Sequence, residues 1–174
     1  KITVSEDGVY ELSVESLAAK GFDSVNSNPE NIQLFYMGTE MAIQVITSEN
    51  GLAEKIVFFG ERNKGDLDSL VYRPLDARMN PHQSLFSDES VYFLTVGANK
   101  GKRTPEIAFK ENLKAEYYIK RELITFEEQY SFNNSIGLLP NLQQSYFESG
   151  EGWSGVFMSA DSSSSFKIPI YDFF

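Results

Sequence analysis

Cysteine is absent from the chain and histidine occurs once, as His82. Without Cys there is no disulfide, no thiolate nucleophile and no Cys-ligated zinc or iron-sulfur site. One imidazole excludes a two-His metal site but leaves a Ser/His/Asp arrangement to be weighed. Basic side chains are scarce too: 15 Lys and Arg stand against 25 Asp and Glu, a net charge of -10 over 174 residues. No Lys/Arg run interrupts that negative field, which repels nucleic acid and anionic lipid, so neither is expected as a partner. No stretch reaches the run of about 18 apolar residues that a membrane helix needs, and Lys1 to Asp7 lacks the apolar core of a signal peptide, so membrane insertion is not expected. What remains is ordinary. With 41% hydrophobic and 23% charged residues the chain belongs with globular proteins rather than disordered ones, and its length suits one domain or little more.

Period-two patterning opens the chain, where Tyr10, Leu12 and Val14 alternate with Val9, Glu11 and Ser13, as in a half-buried strand. A short helix over Glu15 to Lys20 follows, with Ser13 to cap it and Gly21 at the left-handed C-terminal position. Two apolar runs, Ile32 to Met37 and Met41 to Thr47, flank Gly38-Thr39, a Gly-first pair suited to a two-residue hairpin, and Asn50-Gly51 marks the next turn. Lys55-Ile-Val-Phe-Phe59 and Val91-Tyr-Phe-Leu-Thr-Val96 read as buried strands. Between them Gly60 to Ser90, with Gly65, Pro74 and Pro81, reads as a long loop, and a loop of that length has a role or a structure of its own. Ala115 to Phe126 fits a helical face and one side of a strand, and its β-branched and aromatic content favours strand. Ser162 to Ser165 reads as a solvated loop tip. The expected fold is all-β: an antiparallel β-sandwich with one short helix and a long ordered loop. Residues 1–165 are expected to form this module. The apolar run Phe166-Lys-Ile-Pro-Ile-Tyr-Asp-Phe-Phe174 is expected to start a following strand or domain of a longer protein.

Four constellations bear on chemistry. Gly150-Glu-Gly-Trp-Ser-Gly155 matches the dinucleotide fingerprint to the letter, but no strand-turn-helix unit surrounds it and Trp153 stands where a pyrophosphate must approach; a glycine-flanked Trp at a strand junction is the better reading. His82 lies near Asp76, Ser84 and Asp88, yet triads are assembled from side chains distant in sequence and need an oxyanion hole, which favours an exposed or capping loop histidine. Glu61, Asn63, Asp66 and Asp68 surround Gly65 with oxygen ligands, so calcium is the one cofactor to look for. The spacing is not that of an EF-hand, Arg62 and Lys64 intrude, and turn-forming Asp and Asn account for the pattern equally. Finally, 14 Phe, 9 Tyr and 1 Trp exceed what a core of this size needs. Tyr146, beside Gln143, Gln144 and Glu148, and Trp153, beside Glu151, have the acid and amide neighbours of a glycan-binding aromatic; core packing is the competing reading.

Phe58-Phe-Gly-Glu-Arg-Asn-Lys-Gly-Asp-Leu-Asp-Ser-Leu-Val-Tyr72, followed by Asn80-Pro81, Ser84-Leu-Phe86 and Tyr92-Phe-Leu-Thr95, resembles the N-terminal β region of the type IX secretion sortase and related gingipain-like cysteine peptidases of Bacteroidota. Glu6-Asp-Gly-Val-Tyr10, Asn28-Pro-Glu-Asn-Ile-Gln-Leu-Phe-Tyr36 and Gly150-Glu-Gly-Trp153 extend the resemblance in the same order. It covers most of the chain and is thin from Thr104 to Gln144. The resemblance implies a secreted, outer-membrane or cell-surface multidomain protein whose catalytic Cys and His lie in a later caspase-like domain. No position of this sequence matches either one. It also makes Asp23-Ser-Val25 and Asp68-Ser-Leu70 similar to the short O-glycosylation motif of that phylum. The expected function is therefore a non-catalytic structural or interaction module partnered by downstream domains of its own chain. A glycan- or surface-peptide-binding module is the alternative, and a hydrolase centred on His82 comes third.

Overall fold

A computed structural model of the chain describes residues 1–22, 28–106, 123–131 and 145–168. They belong to two units: Lys1–Asn63 with Asp88–Ala108, and Lys64–Ser87 with Phe109–Phe174. The architecture is all-β and antiparallel, with one short α-helix among the described residues. None of their helices is long and apolar enough to cross a membrane.

Among its described residues the first unit contains seven strands: β1 (Ile2–Val4), β2 (Gly8–Ser13), β3 (Ile32–Tyr36), β4 (Thr39–Met41), β5 (Gln44–Thr47), β6 (Ala53–Gly60) and β7 (Ser90–Val96). One sheet has the order β1-β7-β3-β4 and the other β2-β6-β5. Register places Leu34 opposite Leu94 and Tyr36 opposite Tyr92 in the first, and Tyr10 opposite Phe58 in the second. Because side chains alternate along a strand, each of these pairs faces one side of its sheet. Val4, Ile32, Leu34 and Tyr92 of the first sheet join Ile56 and Phe58 of the second, with Val14 and Ile43, in one buried cluster. Each such burial contributes about 1.5 to 3 kcal/mol. Four rings run through this core: Tyr10 to Phe58 at 5.6 Å, Phe58 to Tyr92 at 5.5 Å and Tyr92 to Tyr36 at 4.6 Å. Burial holds the Tyr92 phenol above its ordinary pKa, so it stays a donor, and it also accepts from the Glu61 amide at 2.9 Å.

Four expectations change in detail. β6 and β7 are strands, but they are buried on one face only: Phe59 and Phe93 are each 56% exposed. Apolar residues on both faces conceal the alternation that antiparallel sheets normally show. The hairpin after β3 turns at Met37-Gly38, both at positive φ (47° and 78°), rather than at Gly38-Thr39, as a type I′ turn requires. The run Met41 to Thr47 is split, since β4 pairs in the first sheet and β5 in the second. The helix α1 spans Val14–Ala18, earlier than expected by about a residue at its start. Ser13 caps it, its Oγ accepting from the Ser16 amide at 3.1 Å. Gly21, at φ 87°, closes it, with Phe22 N–H donating to Leu17 O and Gly21 N–H to Ala18 O, the two bonds of a Schellman end.

In the second unit β8 (Gln129–Ser131) pairs with β9 (Gly152–Ser154), and residues 64–87 form the ordered loop, with 3-10 turns at Asp68–Val71 and Leu75–Ala77. Tyr72 and Phe147 form a parallel bridge, Arg73 N–H donating to Phe147 O and Phe147 N–H to Val71 O, each at 2.8 Å. Of the segment from Ala115 to Phe126, residues 115–122 lie outside the described residues and 123–126 have no regular structure. Ser162 to Ser165 is exposed, as expected of a loop tip.

Candidate functional site

The loop of the second unit has a polar centre. Gly65, buried and at φ +73°, presents its carbonyl to the Asp68 amide at 2.9 Å and to Nη1 of Arg78. Arg78 Nη2 donates to the carbonyls of Lys64 and Gln83, the latter at 3.0 Å. Asp68 is 7% exposed, and its Oδ2 accepts from the Leu85 amide at 2.6 Å and from Ser84 Oγ at 3.1 Å. Ser84 Oγ in turn accepts from the amides of Phe86 and Ser87. A buried carboxylate is stable when donors meet it in this way. A guanidinium placed on carbonyls similarly closes backbone acceptors that no ladder reaches.

Beside this knot lies a cavity of about 150 Å³, lined by Tyr72, Arg78, Met79, Asn80, Gln83, Leu85, Gly150, Glu151, Trp153 and Ser154. Tyr72 is 1% exposed, and its hydroxyl donates to Glu151 O at 2.7 Å. Burial raises its pKa, so the phenol keeps its proton and the bond at neutral pH. Glu151 carboxylate accepts from the Glu148 amide, which fixes the turn before β9. Gly152, at φ 115°, lets that strand come close: a Cβ there would lie 2.8 Å from Leu85 Cδ2 and 3.0 Å from Tyr72 Oη. Trp153 meets Tyr130 edge to face at 4.9 Å. On the cavity wall, the 4% exposed Gln83 has a buried Oε1 that accepts no hydrogen bond, and Arg78 Nε donates none.

The residues singled out in the sequence fall as follows. Trp153, 37% exposed, forms part of the cavity wall; Tyr146, 38% exposed, is not one of its wall residues. Of the four oxygen-bearing residues considered for calcium, Asp68 faces inward onto Ser84 and Leu85, while Asp66 and Glu61 are exposed. Asn63, in the first unit, donates its amide to Asp88 O. Among the described residues no group of three or more His, Asp or Glu side chains is gathered as a metal site. His82 is exposed, its amide donating to Asn80 Oδ1 at 3.0 Å, and Ser84 bonds to Asp68. Asp23 to Val25, Gln143 and Gln144 lie outside the described residues, and Ser69 is half-buried. Tyr72, Arg78 and Gln83 were not singled out by sequence, because nothing in their local pattern signals burial of a guanidinium and an amide in a loop.

Comparison with family models, with curated proteins and with solved structures gives no match.

Proposed function

We propose that the chain is a non-catalytic structural and interaction module of a secreted or cell-surface multidomain protein, resembling the N-terminal region of type IX secretion sortase or gingipain-like peptidases. The observation that carries this reading is the polar knot. Where the described residues gather a carboxylate, a hydroxyl and a guanidinium, Asp68, Ser84 and Arg78 use them to hold backbone amides and carbonyls. A nucleophile and its base need to face substrate, whereas these groups order a loop. The module offers neighbouring domains of the same protein an apolar strip. Val156, Phe157, Met158, Phe166 and Ile168 are exposed, Phe157 by 84%. The strip continues in sequence as Pro169-Ile-Tyr-Asp-Phe-Phe174. Val156, Met158 and Phe166 line one surface depression, and exposed apolar side chains gathered in this way are characteristic of an interface.

Two measurements test the reading. Purified chain incubated with casein, fluorogenic peptides, nitrophenyl esters and nitrophenyl glycosides is expected to show no turnover above a denatured control; turnover that copurifies with it overturns the proposal. In the intact protein, hydrogen exchange and Lys167 acetylation across residues 155–168 are expected to be slower than in the chain alone. Equal rates would remove the interface role. The exported location rests on the resemblance and is tested by surface shaving of intact cells: peptides of this chain are expected in the shaved fraction, and their confinement to the lysate refutes it.

A further inference from the structure

The cavity beside the polar knot has room for a guest and few hydrogen bonds to offer it. Its volume of about 150 Å³ is that of a cavity able to hold one benzene-sized ring. Tyr72, Leu85, Met79 and Trp153 supply the apolar part of the wall, and Met79 and Trp153, both exposed, carry it out to solvent. The polar groups of the wall are committed within the protein. Arg78 bonds to the carbonyls of Gly65, Lys64 and Gln83, and the Tyr72 hydroxyl to Glu151 O. The Glu151 carboxylate accepts from the Glu148 amide and Asn80 Oδ1 from the His82 amide. The two atoms without partners, Gln83 Oε1 and Arg78 Nε, are enclosed by protein and do not reach this space. A strongly hydrated guest would forfeit its bonds to water here for little return, and one guanidinium with one carboxylate selects neither an anion nor a cation. An apolar ring has no such bonds to lose. An aromatic ring gains more than a saturated one, because its π face attracts a cation and its edge a thioether, and the wall holds Arg78 and Met79.

We propose that the cavity walled by Tyr72, Met79, Leu85 and Trp153 binds one uncharged six-membered aromatic ring, carried by a small molecule or by the side chain of a peptide. This goes beyond the structural role and does not rest on it. Failure to bind a ring leaves that role standing, and turnover of a substrate would overturn that role without touching this one.

The full chain is titrated with phenol and followed by saturation-transfer NMR of the ligand. Cyclohexanol serves as a saturated ring of the same atom count, and N-acetyl-tyrosinamide as the phenol ring on a peptide unit. Expected is saturable phenol binding at a Kd of about 1 mM, with cyclohexanol about fivefold weaker. N-acetyl-tyrosinamide binding at least as tightly as phenol assigns the ring to a peptide side chain, and weaker binding assigns it to a small molecule; either result supports the proposal. Ser154→Leu sets a larger side chain on the wall and should weaken phenol roughly tenfold by filling the space. Met79→Asp, at an exposed wall position, sets a carboxylate against the negative ring face, should weaken phenol about fivefold, and serves if Ser154→Leu does not fold. The proposal is overturned if phenol shows no saturable binding up to about 10 mM, a decade above that constant. It is equally overturned if cyclohexanol binds as tightly as phenol, or if either folded variant binds phenol as well as the parent.

Discussion

Replacing Gly65 by alanine tests whether the loop is held by a tightly packed polar centre. A Cβ at this position meets Asp68 Oδ2 at 2.5 Å, Arg78 Nη2 at 2.7 Å and Ser84 Cα at 2.8 Å, and the backbone sits at φ +73°. None of the three is a flexible tip free to swing aside: the carboxylate and the guanidinium are both hydrogen-bonded and the third atom is main chain. Left-handed backbone costs a residue with a Cβ about 1 to 2 kcal/mol, and overpacking adds about 1 to 3, for a loss of about 2 to 5 kcal/mol. Gly150 supplies the control within the same unit, at φ +90° with nothing within 4 Å of its Cβ, so Gly150→Ala should lose only the backbone part, about 1 to 2 kcal/mol. Trp153 belongs to this unit, and its emission during urea unfolding of the full chain follows it. With an m-value of about 2 kcal/mol per M, the midpoint should fall by about 1 to 2.5 M for Gly65→Ala and by about 0.5 to 1 M for Gly150→Ala. Equal shifts would refute the reasoning, because they would leave only backbone strain and no packed centre around Gly65.

Asp68→Leu removes the acceptor for the Leu85 amide and Ser84 Oγ and should cost about 2 to 4 kcal/mol, while Asp68→Asn, which keeps an acceptor, should cost about 1 to 2; the same urea titration reads both, and equal losses would refute the distinction. Burial raises the pKa of the Tyr72 phenol, and of Tyr130 in the same unit. The stability linked to these protons is complete below the unfolded phenol value of about 10 and is lost as pH rises through the folded values. The Trp153-detected midpoint should therefore drop above about pH 10, and drop less in Tyr72→Phe; a midpoint that rises there refutes the assignment. Met37 occupies positive φ in an exposed hairpin turn, so Met37→Asn, giving Asn-Gly, should raise the melting temperature of the first unit by the equivalent of about 1 kcal/mol, followed by far-ultraviolet circular dichroism.

Much of the first unit was legible because its strands announce themselves. β2 alternates openly, β6 and β7 are dense in β-branched and aromatic residues, and Ser13 and Gly21 mark both ends of α1. The misreadings also have physical causes. Phe59 and Phe93 look like core residues because hydrophobicity alone does not say which face of a strand is covered. The split between β4 and β5 depends on sheet pairing, which no local pattern encodes. Met37 defeated the turn rule, since a methionine at positive φ is a choice against local preference. The second unit was nearly silent. Residues 64–87 lack apolar periodicity because side-chain to backbone hydrogen bonds hold them, such as those from Arg78 to Gly65 and from Leu85 to Asp68. The one legible part of the cavity wall was Trp153 with its acidic neighbour. Gln83 and Arg78 acquire their roles from burial, which becomes visible only in three dimensions.

Ordering a loop of this kind costs about 1 to 2 kcal/mol of backbone entropy per residue, and few apolar side chains are buried in it to offset that cost. Hydrogen bonds contribute only about 1 kcal/mol each but select one conformation, because a misplaced donor in a buried setting loses more than a bond gains. Arg78 and Gln83 therefore serve two structures at once, the knot on one side and the cavity wall on the other. It follows that Asp68, which is not a wall residue, should influence the cavity through Leu85, which is. Acrylamide quenching of Trp153, which shares that wall with Leu85, should rise in Asp68→Asn while the protein remains folded by its urea midpoint, because loosening Leu85 opens the wall to solvent. Unchanged quenching in a folded Asp68→Asn protein would show that the knot and the cavity are neighbours without being coupled.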